Sequence, residues 1–178
     1  MEDHSRREGG LFCCGTVVEQ RMWIDYSCPV RYRLYKPEDF AALYAIEEIC
    51  FRPPHRFGRG YMRHLIEQHN SATWIAEDDG IMCGFAIIEW TRETQSVAYI
   101  QTLEVVLERR GQGVGGKLLS RLESSARALG ASLIWLHVDA ENAAAIRTYQ
   151  AAGFVCEGRE EDYYGPNRAA LIYSKPLN

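Results

Sequence analysis

A glycine-rich segment, Arg110-Gly111-Gln112-Gly113-Val114-Gly115-Gly116, is the first candidate for chemistry in this chain. Glycines let the backbone bend tightly and leave no side chains over the first N–H groups of a following helix. Those N–H groups have no intrahelical partner and lie at the positive end of the helix dipole. The flanking Arg109 and Lys117 add cationic charge. The segment therefore predicts a site for a phosphate or pyrophosphate group.

The residues around this segment predict a strand before it and a helix after it. Residues 99–107 are typical of a strand, and apolar residues from Val114 to Leu129 recur at helical spacing before Gly130. A connection that uses glycine for geometry alone is the alternative. The chain has no Gly-Lys-Ser/Thr triplet here, which disfavours a nucleotide-hydrolysing P-loop.

His137 is the second candidate, within the apolar run 133–138 that predicts a buried parallel strand. A histidine in such a strand is often a core residue. However, the strand ends just before a helix that begins near Asn142, and active sites of open α/β sheets lie beyond the carboxyl ends of strands. Both interpretations stay open on these residues alone.

A longer motif joins these two candidates. It runs Asn142-Ala-Ala-Ala-Ile-x-x-Tyr149-x-x-x-Gly153-Phe154 and follows the glycine segment by about 25 residues. With the ending Tyr163-Tyr164-Gly165, the chain resembles the GNAT acetyltransferase superfamily over roughly residues 31–177. Within it, the run from Asn142 to Phe154 is especially similar to the RimI-type protein N-terminal α-amino acetyltransferases. The resemblance implies an α/β GNAT fold, with a mixed, mostly antiparallel sheet splayed at strands 4 and 5 and helices on both faces.

The resemblance also implies a general base. RimI carries a glutamate in the run that holds His137, whereas eukaryotic relatives with a Leu-His-Val triplet carry histidine, as this chain does. In the relative that acetylates retained initiator methionines, a tyrosine that corresponds to Tyr99 shares a proton-accepting water with that histidine. Glu104, where family members usually have a small residue, is a rival base. Tyr99 as a packing aromatic and Glu104 as an ordinary strand carboxylate are the alternatives.

Tyr149 corresponds to the family tyrosine that protonates the departing coenzyme A thiolate, although packing beside Ile146 also explains it. Asn142 corresponds to a pantetheine contact, although N-capping also explains it. The implied reaction is direct transfer from acetyl-CoA in a ternary complex, with a backbone N–H near Leu103–Val105 on the oxyanion and without metal. The implied cofactor-binding residues are Leu103, Val105, Arg110, Gly111, Gln112, Gly113, Val114, Gly115, Gly116, Lys117, Asn142 and Tyr149.

The implied acceptor is a primary amine, with a protein or peptide N-terminus first. By resemblance, its contacts are Phe51, Pro53, Pro54, Tyr99, Tyr163 and Tyr164. Two departures from the family pattern weaken the prediction of a peptide N-terminus more than the prediction of acetyl-CoA. Gly165-Pro-Asn-Arg168 replaces an acidic run, and Val106-Leu107 replaces the common Asp-Pro. The basic residues of 52–59 favour acidic substrates or are simply solvated. A small amine (polyamine, amino acid or drug) and a non-catalytic acyl-CoA-binding module are the alternative functions.

Length and composition agree with one folded domain of 178 residues, of which 47% are hydrophobic and 25% charged. We expect residues 1–29 to be an N-terminal extension and residues 30–178 the acetyltransferase domain. The net charge of −4 argues against general nucleic-acid binding, and no apolar run predicts a membrane span or signal peptide. The spacing of the six cysteines predicts free thiols in a reducing cytoplasm. Oligomeric state stays open, with a homodimer as one alternative.

Periodicity and turn residues predict the remaining elements. Strands are expected at 31–35, 73–78, 82–91, 96–107, 132–138, 154–161 and 168–175, with an extra strand through 15–19 as one alternative for the extension. Helices are expected from Lys36, at 61–69, at 114–129 and at 142–152. The first helix is expected to bury Phe40, Leu43, Ile46 and Ile49.

Overall fold

The computed structural model describes residues 29–51, 56–91 and 97–177, and in these residues a mixed sheet carries helices on both faces. The strands are β1 (Arg31–Leu34), β2 (Ser71–Asp78), β3 (Ile81–Trp90), β4 (Val97–Val105), β5 (Leu133–Asp139), β6 (Val155–Glu160) and β7 (Ala170–Pro176). The helices are α1 (Phe40–Cys50), α2 (Arg59–Glu67), α3 (Val114–Ala128) and α4 (Ala143–Ala151), with short 3₁₀ turns at Pro37–Asp39 and Leu107–Arg109. The predicted extension, residues 1–28, and its strand at 15–19 lie outside the described residues.

The strands follow the order β1-β2-β3-β4-β5-β7-β6, and each neighbouring pair is antiparallel except β4 and β5. The parallel pairing of β4 with β5 runs from Val97↔Leu133 to Tyr99↔Trp135. Beyond that point β4 continues to Val105 and β5 to Asp139. The two strands therefore separate toward their carboxyl ends, as the predicted fold class requires, and this prediction is confirmed.

Alternation along the central strands builds a core on each face of the sheet. Ile75, Phe85 and Ile87 pack with the buried faces of α1 and α2. Their neighbours Ala76, Ala86 and Ile88 pack with the buried residues of α3 and α4. α1 and α2 thus cover one face of the sheet, and α3 and α4 cover the other.

A bulge in β4 decides which of its side chains face α1. Ile88 pairs with Ile100 and Ile87 with Thr102, so Gln101 is the extra residue. Ile100 and Leu103 consequently both belong to the α3 side, although three positions separate them. The face toward α1 receives Tyr99 and, after the bulge, Thr102 and Glu104.

The structure corrects several predicted boundaries. β4 ends at Val105 rather than residue 107, because Leu107–Arg109 forms a 3₁₀ turn. α1 begins at Phe40 rather than at Lys36, after the 3₁₀ turn Pro37–Asp39. α2 begins at Arg59, with Gly60 inside its first turn.

One predicted core residue is also wrong. Ile49 is 70% exposed, because nine positions after Phe40 amount to two and a half helical turns and reach the opposite side of α1. α3 ends at Ala128 rather than at residue 129, and Leu129, which is 45% exposed, already belongs to its C-terminal cap. Gly130 follows with φ of 75°, the left-handed stop that the sequence predicts.

Candidate active site

Two adjoining cavities lie where β4 and β5 separate. The first, which we call the loop cavity, has a volume of about 940 Å³ and is lined by the glycine segment. The second, which we call the aromatic cavity, has a volume of about 1250 Å³ and contains Tyr99 and His137 in its lining. The residues that line both cavities are Cys50, Phe51, Leu103, Asn142 and Ala145. A molecule long enough to span these shared residues would enter both cavities.

Glycine geometry shapes the loop cavity. Gly111 and Gly113 have φ of 72° and 80°, left-handed values that other residues adopt at a cost. Gly113 directly precedes α3, and Gly115 and Gly116 occupy its first turn. A Cβ on Gly116 would meet no atom within 4 Å, so this glycine keeps open space beside the start of the helix. The backbone of the loop therefore leaves the space that the predicted anion site requires at the start of α3.

The charged residues of the loop are held by protein partners. The Arg110 Nε donates to the carbonyl oxygen of Val105 at 2.9 Å, and its guanidinium also donates to the Cys50 sulfur at 3.7 Å. Arg109 forms an ion pair with Asp78. Both arginines still line the loop cavity, so their charge reaches it. Arg110 also ties the end of β4 to the loop.

Gln112 and Lys117 stand apart from the other predicted cofactor contacts. Over the described residues, the lining of the loop cavity includes neither of them. The Gln112 amide instead donates to the carbonyl oxygen of Glu108 at 2.8 Å, which stabilises the turn.

The opposite wall of the loop cavity comes from β4 and α4. Leu103 and Val105 contribute from β4, and Asn142 and Ala145 from the start of α4. The Asn142 side chain accepts a hydrogen bond from the Ala145 N–H at 3.1 Å, so the predicted N-cap is confirmed. Its position in the lining of both cavities leaves the predicted pantetheine contact compatible with this capping role.

Tyr149 lies on α4, one turn after Ala145, and lines the aromatic cavity. It is buried against the rings of Phe154 and Tyr173, with centroid distances of 5.8 and 6.4 Å. This burial raises the pKa of the Tyr149 phenol above its ordinary range. The hydroxyl therefore stays protonated throughout the neutral range and can donate a hydrogen bond.

Tyr99 and His137 meet in the aromatic cavity. The Tyr99 hydroxyl lies 3.1 Å from Nδ1 of His137, within hydrogen-bond distance. Burial raises the pKa of the Tyr99 phenol, and the Tyr163 hydroxyl raises it further. Tyr99 therefore keeps its proton and can donate it to Nδ1. The imidazole is held from the other side by the Tyr163 ring, stacked at 4.2 Å and 17°.

The second ring nitrogen of His137 faces β6. Its Nε2 lies 3.4 Å from a carboxylate oxygen of Glu160. Only 11% of the His137 side chain is exposed, against 54% for that of Glu160. Sequence reasoning did not identify Glu160, because its contact with His137 depends on the strand order β5-β7-β6.

A second carboxylate pair lies beside β4. Glu47 of α1 and Glu104 of β4 are both buried. Burial, together with the neighbouring Glu47 carboxylate, raises the pKa of Glu104 to about 10. Glu104 is therefore protonated at neutral pH, which disfavours the rival hypothesis that it is the general base.

Defined hydrogen bonds hold this pair. Thr102 donates to Glu104 Oε1 at 2.9 Å, and the Phe57 N–H donates to Glu47 Oε1 at 2.7 Å. The Oε2 atoms of Glu47 and Glu104 find no donor among the described side chains and backbone groups. A proton shared between the two carboxyls satisfies both oxygens, as expected for neighbouring buried acids.

Aromatic residues line the cavity in which His137 lies. Four of the predicted acceptor contacts, Phe51, Tyr99, Tyr163 and Tyr164, are among them, whereas Pro53 and Pro54 lie outside the described residues. The structure adds residues that the sequence interpretation missed: Glu47, Phe57, Tyr61 and Trp135. For Glu47 a signal existed, because this acidic residue follows Phe40 by seven positions and so lies on the apolar face of α1.

The described residues contain neither a cluster of metal-binding side chains nor a membrane-spanning helix. No group of three or more His, Cys, Asp or Glu side chains in 29–51, 56–91 and 97–177 has the arrangement of a metal site. No helix in the same residues is long and apolar enough to cross a membrane.

Comparison with known proteins places this fold and site in a family. The pattern of the acetyltransferase (GNAT) family matches residues 40–154, and the chain belongs to that family. Members of this family use acetyl-CoA, and the glycine cradle and the opening between β4 and β5 fit such a ligand. The predicted family and cofactor class are confirmed.

Individual relatives differ in their acceptors. The chain is 34% identical to streptothricin acetyltransferase of Streptomyces lavendulae over 99 residues, which cover 55% of this chain and 52% of that enzyme. It is also 34% identical to the [ribosomal protein bS18]-alanine N-acetyltransferase of Escherichia coli over 103 residues, 56% of this chain and 68% of the relative. The chain thus spans about half the length of several curated relatives it matches.

A solved structure supports the fold. Arabidopsis thaliana NAA60 in complex with acetyl-CoA superposes with a TM-score of 0.76 at 21% identity, covering 84% of this chain and 99% of that one.

Proposed function

We propose that this protein is an N-acetyltransferase that transfers the acetyl group of acetyl-CoA to the α-amino group of a protein or peptide N-terminus. The observation that carries the proposal is the 3.1 Å contact between the Tyr99 hydroxyl and His137 Nδ1, within a cavity that adjoins the glycine loop. This arrangement combines a proton acceptor with a neighbouring anion cradle, as acyl transfer from a coenzyme to an amine requires.

In this proposal the loop cavity holds the coenzyme. The backbone from Gly111 to Gly116 receives the pyrophosphate at the start of α3. Leu103 and Val105 flank the pantetheine arm on one side and Asn142 on the other. Acetyl-CoA supplies the acetyl group as an activated thioester. A backbone N–H of β4 in the segment 103–105 hydrogen-bonds the thioester oxygen.

The aromatic cavity holds the acceptor amine. The acceptor nitrogen forms the new C–N bond as the C–S bond breaks, and its proton passes through the Tyr99 hydroxyl to His137 Nδ1. An α-amine has an ordinary pKa of about 7.7–8.0 and a lysine of about 10.4. At pH 7 roughly a tenth of the α-amine is already neutral, against well under a thousandth of the lysine. A histidine base therefore suits an N-terminus better than a lysine.

Tyr149 stabilises the leaving group. Burial raises its pKa, so the phenol keeps its proton at neutral pH and donates a hydrogen bond to the sulfur as the C–S bond breaks. The thiolate, whose ordinary pKa is about 8.5, takes its proton from solvent after release. Its place on the wall of the aromatic cavity, one turn from a residue that lines both cavities, supports this role.

A second candidate is acetylation of a small amine. The observation that favours it is the similarity to streptothricin acetyltransferase, whose name gives a small-molecule substrate. The [ribosomal protein bS18]-alanine N-acetyltransferase supports the peptide acceptor, and its sequence identity to this chain is the same 34%. Both candidates use the same coenzyme cavity and the same proton-transfer residues.

Acetylation of one mixed acceptor panel, read by mass spectrometry, tests the proposal. The panel contains peptides with varied free N-termini, N-terminally blocked lysine peptides, and small amines. The expected result is acetyl-CoA-dependent modification of free N-termini. Modification of small amines alone would replace the leading proposal by the second candidate. Coenzyme binding without any product would favour a non-catalytic acyl-CoA-binding module.

A further inference from the structure

We infer that Glu160 is a positioning residue for His137: its carboxylate holds the imidazole as the Nε2–H tautomer and stabilises the ring after Nδ1 takes a proton. This inference rests on the proposed function, because it assumes that His137 accepts the proton of the acceptor amine. It concerns a residue of β6 that no feature of the sequence connects with His137.

Sheet topology brings Glu160 to His137. His137 pairs with Ile172 of β7, and Ile172 pairs with Gly158 of β6. Glu160 therefore lies two strands away and two residues further along β6. Its side chain crosses β7 diagonally, and a carboxylate oxygen lies 3.4 Å from Nε2.

The contacts on the two ring nitrogens select one tautomer. An ionised carboxylate only accepts hydrogen bonds, so the Nε2 atom that lies 3.4 Å from Glu160 is the nitrogen that carries the hydrogen of the neutral ring. Nδ1 then has the lone pair and accepts from the Tyr99 hydroxyl at 3.1 Å. Burial raises the pKa of the Tyr99 phenol, which therefore keeps its proton for this bond. The opposite tautomer would place the Nε2 lone pair against a negative charge. Glu160 consequently favours the ring form whose accepting nitrogen faces Tyr99 and the cavity.

The same carboxylate acts after proton transfer. The amine proton arrives at Nδ1, so the ring holds two N–H groups and a positive charge. Glu160 then forms an ion pair with Nε2–H, while its half-exposed carboxylate contacts solvent. When the product has left, Nδ1 returns its proton to the Tyr99 oxygen while the Tyr99 hydroxyl releases its own hydrogen to solvent in the aromatic cavity, which restores the starting tautomer with its hydrogen on Nε2. One proton leaves the amine and one reaches solvent, so the protons balance.

The groups that face the imidazole come from three elements besides β5. Tyr99 approaches from β4, Glu160 from β6, and Tyr163 from the connection between β6 and β7. Of these three, Glu160 is the carboxylate. Its replacement therefore removes a negative charge and leaves both ring contacts of the phenols in place.

The test compares Glu160→Gln with the matched control Glu161→Gln. Glu161 is the next residue and is more exposed, and its carboxylate pairs with Arg159 instead of His137. NMR of ¹⁵N-labelled imidazole in the full chain reports the tautomer. Steady-state kinetics report the function.

For Glu160→Gln we expect a mixed tautomer, because the neutral amide can donate to Nε2 as well as accept from it. We expect kcat to fall about two- to fivefold with KM for acetyl-CoA unchanged. Glu161→Gln should match the wild type in every measurement.

Two results separate this inference from the proposed function. An unchanged tautomer in Glu160→Gln would overturn the role of Glu160, whatever the kinetics show. An unchanged kcat in His137→Ala would overturn the proposed base, and the imidazole NMR of Glu160→Gln would still decide whether Glu160 positions the ring.

Discussion

The Tyr99 hydroxyl lies 3.1 Å from Nδ1 of His137, although 38 residues separate the two along the chain. The parallel pairing of β4 and β5 explains this closeness. Tyr99 pairs with Trp135 in the last matched position, and His137 follows two residues later on the same face of β5. The two side chains therefore meet where the strands begin to separate. This position places a hydrogen-bonded donor and acceptor at the entrance to the opening that fits acetyl-CoA.

The first prediction concerns this pair. His137→Ala should lower kcat about 100-fold, because general-base catalysis contributes roughly 10²- to 10⁴-fold. Tyr99→Phe should lower kcat by a similar factor, because the amine proton loses its path to Nδ1. The double variant should be little slower than either single variant, since the two groups act as one unit. Steady-state kinetics with a peptide acceptor measure these effects.

Tyr35→Phe is a matched control for this experiment. The Tyr35 hydroxyl contacts the carbonyl oxygen of Pro37, outside both cavities, so its loss should leave kcat unchanged. Fully additive losses in the double variant would contradict the shared role of Tyr99 and His137. Coenzyme binding, measured by calorimetry, should be retained in all three active-site variants.

The second prediction concerns Tyr149. Tyr149→Phe should lower kcat about 10- to 100-fold, because the buried phenol is the proposed hydrogen-bond donor to the departing thiolate. The phenyl ring keeps the contacts with Phe154 and Tyr173, so the melting temperature and the Kd for coenzyme A should change little. Kinetics, thermal unfolding and calorimetry on the same preparation measure all three. An unchanged kcat would leave Tyr149 with a packing role alone.

Much of the fold could be predicted from the sequence, because it depends on local periodicity and turn residues. The glycine segment, the N-cap at Asn142 and the stop at Gly130 are short-range features, and each lies where the pattern predicts it. The splay of β4 and β5 followed from the family resemblance. The burial prediction for Ile49 was wrong because it followed the apolar residue type, whereas the helical period places Ile49 opposite Phe40.

The remaining parts of the site depend on tertiary structure. The β4 bulge at Gln101 decides which of its neighbours face α1, and nothing local to that residue predicts it. Glu160 reaches His137 only through the strand order, and Arg110 turns toward Val105 because the loop folds back on β4. Side-chain direction in such positions follows from packing rather than from residue type.

The third prediction tests Glu104. If Glu104 is protonated at neutral pH, the isosteric and uncharged Glu104→Gln should keep kcat within about twofold of the wild type. A general base in this position would instead require a loss of roughly 10²- to 10⁴-fold. Kinetics at pH 7 distinguish these outcomes, and a large loss with normal coenzyme binding would restore Glu104 as the base.

Glu104 should also make stability depend on pH. The ordinary carboxyl titrates near 4.5, whereas burial beside Glu47 raises the pKa of Glu104 to about 10. Between these values the folded chain binds one proton more than the unfolded chain. Its contribution to the free energy of unfolding is therefore complete below pH 4.5, decreases as pH rises, and is lost above pH 10, with a limiting slope of about 1.4 kcal/mol per pH unit.

Thermal unfolding at several pH values checks this dependence. The melting temperature of the wild type should fall as pH rises from 6 to 9, by about 2–4 °C for each kcal/mol lost. Glu104→Gln removes the titrating group, so the same curve should become flatter. Equal slopes in the two proteins would show that Glu104 is ionised in the folded state at neutral pH.

The fourth prediction separates two glycines that lie three residues apart in the loop. Gly113 has φ of 80° and Gly116 has a helical conformation in the first turn of α3. Gly113→Ala should lower stability by about 1–2 kcal/mol, because an L side chain is strained in the left-handed region. Gly116→Ala should raise stability by up to about 1 kcal/mol, because alanine favours the helix and its methyl group would meet no neighbouring atom.

The effect of Gly116→Ala on coenzyme binding has a different cause from its effect on stability. The new methyl group of Gly116→Ala enters the loop cavity beside the first N–H groups of α3, where we place the pyrophosphate. This variant should therefore be more stable than the wild type yet bind coenzyme A more weakly. Thermal unfolding without ligand and calorimetry with coenzyme A measure the two quantities separately. A Gly116→Ala variant that gains stability and keeps full affinity would place the pyrophosphate away from the start of α3, because added bulk there would then obstruct nothing.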